Sequence, residues 1–131
     1  GGADILTGGN RQDTFVFTSG DTGITEATAD TITDFVSGND LLDLTAITNG
    51  NIGTYVEISG ASNNFTTFTG NATASFTGSA VDIYVEYNLN GSGNTYILVD
   101  EDSNGSVSAG DTLLILSGLS GSGAVDSSDF I

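Results

Sequence analysis

Two copies of a nine-residue unit begin the chain. Gly8-Gly9-Asn10-Arg11-Gln12-Asp13-Thr14-Phe15-Val16 follows the pattern G-G-x-G-x-D-x-U-x, where U is a large apolar residue, with Arg11 at the third glycine as its one mismatch. The preceding unit runs from Gly1, with Gly2, Asp4 and Leu6 in register. Such units each make a glycine turn and a short strand, and stacked units build a parallel β-roll that holds calcium in its turns. Two units complete a coil of about eighteen residues, so aspartates at that spacing stack on one edge. Asp4 and Asp21, and likewise Asp13 and Asp30, are seventeen residues apart. Each pair is therefore expected to share an ion, with Gly8 in the turn allowing close backbone approach. The plainer alternative is that Asp21 and Asp30 are merely turn or capping residues.

The charge balance points the same way. The chain has 17 acidic residues, no histidine and a single cation, Arg11, for a net charge of −16. Carboxylates this crowded, with almost no Lys or Arg to pair with, need a divalent cation or must repel one another. A solvated acidic surface is the bland alternative. Nucleic acid and anionic membranes are excluded as electrostatic partners. No apolar run approaches the ~18 residues of a membrane span, so membrane insertion is not expected.

Apolar residues make up 37% of the 131-residue chain, and proline and cysteine are absent. Val, Ile, Phe, Tyr and Thr gather in short runs, which is sheet-forming material rather than a disordered tail. Core candidates are Ile32, Phe35, Leu42 and Leu44, with strands near Asp40–Leu44, at Tyr55–Ile58, around Phe65–Phe68 and Phe76, and at Leu113–Leu116. Residues 19–29 read as a polar loop. Val81–Leu89 and Thr95–Val99 form a hairpin around Asn90-Gly91, with Ile83, Val85, Tyr87 and Leu89 on its apolar face. No amphipathic helix is expected, and the tail from Ser117 to Ile131 reads as a flexible glycine-serine stretch.

A second acidic segment has its own spacing. In Asp100–Asp111, positions 1, 3 and 5 of a twelve-residue calcium loop are Asp100, Asp102 and Asn104. Gly105 falls at the sharp turn, Ser106 offers a carbonyl at position 7, and Asp111 replaces the usual Glu at position 12. The flanks are strand-like, so the loop should join two strands. A metal-free Asp/Asn/Gly hairpin is the plainer reading.

With these residues in view, the chain resembles the C-terminal region of RTX (repeats-in-toxin) proteins secreted by bacterial type I systems. The resemblance rests on Gly8-Gly9 through Phe17, and on Asp30-Thr31-Ile32-Thr33-Asp34-Phe35 followed by Gly38-Asn39-Asp40-Leu41-Leu42-Asp43-Leu44-Thr45. It covers residues 1–48 and is similar to the block after the last repeats in serralysin-type proteases. It implies an all-β domain: a short calcium-binding parallel β-roll stub continuing into a β-sandwich-like body with an antiparallel hairpin. The expected division is a roll end and cap at 1–48, a β-rich body with the calcium loop at 49–121, and a tail at 122–131. It further implies calcium as cofactor and a secreted or cell-surface location. The expected partners are an upstream domain of the same polypeptide and the type I secretion machinery. Asp129-Phe130-Ile131 matches the family's terminal export signal. Self-assembly or attachment to cell-surface glycan in a surface-layer or adhesin protein is the alternative role. No catalytic residues are expected. His, Cys and Lys are all missing, and the paired carboxylates sit at calcium spacing rather than serving glycoside hydrolysis.

Overall fold

The computed structural model describes residues 2–48, 54–59 and 62–131. Turns divide its first third into very short strands: β1 (Ile5–Leu6), β2 (Thr14–Val16), β3 (Asp30–Ile32) and β4 (Leu41–Asp43). β1 pairs in parallel with β3, and β2 pairs in parallel with β4. Successive strands therefore alternate between two sheets. Ile5 faces Thr31 and Thr14 faces Leu41, so one circuit takes 26 to 27 residues, not the eighteen of a regular repeat. The extra length lies in the 17–29 connection. Thr22 pins that segment: its hydroxyl donates to the Leu113 carbonyl at 2.8 Å and accepts from the Asp30 N–H at 2.8 Å.

The larger sheet adds β5 (Thr54–Ser59), β6 (Val81–Tyr87), β7 (Thr95–Val99) and β8 (Thr112–Leu116), in the order β1-β3-β8-β7-β6-β5. β6, β7 and β8 are antiparallel neighbours, whereas β3–β8 and β5–β6 are parallel. The expected hairpin is present, with Tyr87 opposite Thr95 as its last pair. Asn88, Asn90 and Gly91 take φ values of +61°, +51° and +68° to turn the chain, which Asn and Gly tolerate best. Residue 49, where the body was expected to begin, lies outside the described residues.

The hairpin is buried on both faces rather than one. Ile83 and Val85 join Phe15, Ile32, Leu42, Leu44 and Phe130 in a core between the two sheets. Tyr84 joins Leu98 and Leu113 in a second core on the opposite face. The four core candidates from the sequence are all buried.

That second face is covered by an α-helix, α1 (Phe65–Phe76), where strands were expected. Asn64 starts it: its backbone is extended, and its side-chain oxygen accepts the Thr67 N–H at 2.9 Å. This is the usual N-cap arrangement, satisfying a donor the helix cannot. Phe68, Ala72 and Phe76 form the buried stripe, and Phe68 packs against Tyr84 and Tyr96 with ring centroids 5.6 and 5.7 Å apart. Thr66, Thr67, Thr69 and Thr73 favour strand locally, and Gly70 weakens a helix. Burial of the aromatic stripe outweighs them. A Cβ at Gly70 would meet nothing within 4 Å. Gly70→Ala is therefore expected to raise stability by about 0.5–1 kcal/mol, read as an increase in the urea midpoint.

The C-terminal segment is ordered, contrary to the flexible tail expected. A 3-10 turn at Ser127–Asp129 leads to Phe130, which bridges Leu42 in parallel. The Ile131 N–H donates to the Leu42 carbonyl at 3.0 Å, and the Leu44 N–H donates to the Ile131 carbonyl at 2.7 Å. The chain end thus extends the β2–β4 pair. Buried Val125 and Phe130 supply the apolar anchor that the glycine-serine composition of 117–123 conceals.

Candidate metal centre

The acidic loop joins β7 to β8, as expected from its strand-like flanks. Asp100 directly follows β7 and Asp111 directly precedes β8, so the antiparallel pairing itself brings positions 1 and 12 together. Asp100, Asp102 and Asp111 each offer a carboxylate oxygen, all within 4.8 Å of one another. Asp100 and Asp111 are buried and Asp102 is exposed.

Backbone N–H groups hold each carboxylate in place. Asp100 accepts from Asn104 at 3.2 Å and from Gly105 at 2.9 Å. Asp111 accepts from Glu101 at 3.1 Å and from Ser108 at 2.6 Å. Asp102 accepts from the Asn104 N–H at 3.1 Å and from its side-chain amide at 2.7 Å. The Asn104 side-chain oxygen accepts from the Ser106 N–H at 2.8 Å. Asn104 and Ser106, both expected as ligands, therefore order the loop through their own hydrogen bonds.

Burial pushes the carboxyls of Asp100 and Asp111 above the ordinary carboxylate range. The N–H donors only partly offset this, and the neighbouring aspartate charge adds to it. Two buried carboxylates and a third beside them carry negative charge with no Lys or Arg in the loop. An all-oxygen set of this kind fits a hard divalent cation, calcium above all.

The repeat strands carry a second set of acidic contacts, paired differently from the sequence expectation. Asp4 and Asp13 do not pair with Asp21 and Asp30 at an offset of seventeen. Instead the Asp4 N–H donates to Asp30 Oδ1 at 2.9 Å, and the Asp13 N–H donates to Asp40 Oδ1 at 3.0 Å. The longer circuit sets this, because the strand register moves each partner nine or ten residues further along. Asp21 is capped locally by the Thr18 N–H at 2.7 Å and the Thr18 hydroxyl at 2.9 Å. Its charge still reaches Asp30: burial chiefly raises the Asp30 carboxyl, and Asp4 and Asp21 add to the shift.

At the other edge, Asp34 accepts the N–H groups of Gly8 and Gly9 at 2.9 and 2.7 Å. The Asp13 carboxylate lies over Gly8, where a Cβ would come within 2.6 Å of Asp13 Oδ2. Only glycine fits there. Asp13 Oδ2 is buried and has no hydrogen-bond partner among the described residues. A buried carboxylate oxygen left this way is costly unless something else meets it, and it is the strongest sign that the repeat edge also suits a cation. The repeat spacing does not mark Asp34 and Asp40 as site residues. Only the 26- to 27-residue register, which the primary pattern does not show, identifies them.

No helix among the described residues is long and apolar enough to cross a membrane. No curated protein matches the chain. A family model described as Peptidase M10 serralysin C terminal matches residues 1–131. With that match spanning the two acidic edges, the hairpin and the acidic loop alike, the chain belongs to the serralysin C-terminal family.

Proposed function

We propose that this domain is a calcium-stabilised C-terminal module of a larger secreted protein, without catalytic activity of its own. The observation that carries the reading is the convergence of Asp100, Asp102 and Asp111 with no counter-charge. The orphaned Asp13 Oδ2 beside Gly8 supports a further site on the repeat edge, and Asp4 with Asp30 a third. In this reading β1–β4 are the last coil of a parallel β-roll. The upstream polypeptide adds its strands to the edges where Ile5 and Val16 stand 78% and 61% exposed. Calcium, abundant outside the cell, neutralises the acidic edges and completes folding there.

Asp102 gives the cleanest test, because it is exposed and its loss should leave the fold standing. Calcium titration calorimetry of Asp102→Ala is expected to show one fewer bound ion than wild type; equal stoichiometry rules the loop out as a site. The raised carboxyls of Asp100 and Asp111 set the pH dependence. Protons compete with the ion at groups whose folded pKa is raised, so calcium affinity should fall as pH drops. The fall should begin above the ordinary carboxylate value of about 4, and titrations at neutral and mildly acid pH check it.

The segment ending Asp129-Phe130-Ile131 is assigned the type I export signal in the same reading. Asp129 and Phe130 are buried in the folded domain, which suits a signal read before calcium folds the chain. Deletion from Ser122 onward should abolish export. Normal export with lost cell attachment would favour a surface-assembly role instead.

A further inference from the structure

The two ends of α1 are held by different means. At its start the Asn64 cap is backed by Ser62, whose N–H and hydroxyl donate to the fully buried Glu86 carboxylate at 2.7 and 2.8 Å. The Asn71 side-chain amide in turn donates to the Ser62 hydroxyl at 3.1 Å. These bonds are complete within the protein. At its end the helix leans on the acidic loop instead. The Thr77 hydroxyl is shared between the Thr73 carbonyl at 2.7 Å and the Gly105 carbonyl at 2.9 Å. The Val107 N–H donates to the Thr73 hydroxyl oxygen at 3.2 Å.

Both loop contacts are tied to the carboxylates. Gly105 gives its N–H to Asp100 Oδ2 at 2.9 Å while its carbonyl meets Thr77. Its φ of +76° favours glycine, and a Cβ there would stand 3.5 Å from Thr77 Cα. Val107 precedes Ser108, whose N–H donates to Asp111 Oδ2 at 2.6 Å. Where Asp100 and Asp111 sit therefore fixes where the groups that meet the helix sit.

Without a cation, three carboxylates with oxygens within 4.8 Å of one another repel. The helix end has little of its own to resist a loop that opens. α1 has 12 residues, at the lower edge of the ~12–15 below which isolated helices are marginal. Its last turn holds no basic residue to offset the exposed carbonyls.

We infer, on the reading that the loop holds calcium, that the loop is a calcium-sensitive clasp on the C-terminal end of α1. With the ion bound, Gly105 and Val107 hold Thr77 and Thr73. Without it, residues 73–77 come loose while the Asn64 end stays docked. Phe76, 2% exposed in the closed state, is the side chain that opening brings toward solvent.

The test is amide hydrogen exchange on the full chain in excess calcium, so that ions on the repeat edge stay bound. Asp102→Ala is expected to lower the protection of the amides of residues 74–77 about tenfold or more, with those of Phe68, β6 and β7 unchanged. Thr77→Val should loosen the same amides while calorimetry still counts the wild-type number of ions. Combining the two substitutions should add little to either alone, because both release one clasp. Equal loss along the whole of α1 would overturn the inference. An ion lost in Asp102→Ala with helix-end protection intact would overturn the clasp alone. An unchanged ion count in that variant would overturn the calcium reading and the clasp together.

Discussion

Chelating calcium at neutral pH should destabilise the domain by about 4 kcal/mol. Extracellular calcium modules bind at about 10⁻⁴ to 10⁻³ M, and an ion at tenfold excess over its dissociation constant adds about 1.4 kcal/mol to the folded state. The acidic loop, the Asp13 edge and the Asp4–Asp30 edge would together supply the total. That sum approaches the whole stability of a small domain, about 5–15 kcal/mol. Chelation also uncovers repulsion that only Arg11 is present to relieve. Urea unfolding followed by circular dichroism, with and without chelator, measures the difference. Coincident curves would remove calcium from the folding of this domain.

Replacing Asp129 with alanine is expected to cost about 3 kcal/mol or more, because its carboxylate is fully buried and hydrogen bonds to charged groups contribute about 1.5–3 kcal/mol each. It accepts from the Ser37 hydroxyl at 2.7 Å, the Gly38 N–H at 2.7 Å and the Asp126 N–H at 2.8 Å. The substitution strands these donors and loosens two elements together. One is the terminal segment that places Phe130 beside Leu42. The other is the 36–40 turn, whose Asp40 holds the Asp13 N–H. Asp129→Asn keeps one acceptor oxygen and should lose less. Unlike the chelator effect, the loss should persist in excess calcium, since Asp129 is satisfied by protein donors alone. A midpoint equal to wild type would show that the chain end does not brace the turn.

The parts of the fold that could be read beforehand share one property: their signal is local. The hairpin announces itself through alternating apolar residues and Asn90-Gly91, and the acidic loop through the spacing of Asp100, Asp102 and Asp111. Both depend on neighbours within a dozen residues or so. α1 is a partial exception. Its stripe of Phe65, Phe68, Ala72 and Phe76 is helical in period, but four threonines and Gly70 pull local preference toward strand. Packing of Phe68 against Tyr84 and Tyr96 decides the matter, and those partners lie well downstream.

By itself, then, the sequence determined that the chain is β-rich, acidic beyond what its own cations can balance, and marked by a glycine-aspartate repeat and a loop of closely spaced carboxylates. The tertiary structure alone decided which aspartates meet. The circuit of 26 to 27 residues takes in the 17–29 connection, which Thr22 ties to Leu113, a contact that no repeat spacing encodes. It places Asp40 rather than Asp30 over Asp13, and it leaves one Asp13 oxygen buried and without a partner among the described residues. Pairing with β4 likewise turns Phe130 and Ile131 from an apparent loose end into a strand partner. Strand register depends on contacts between residues far apart in the chain, where a shift of one position changes every neighbour.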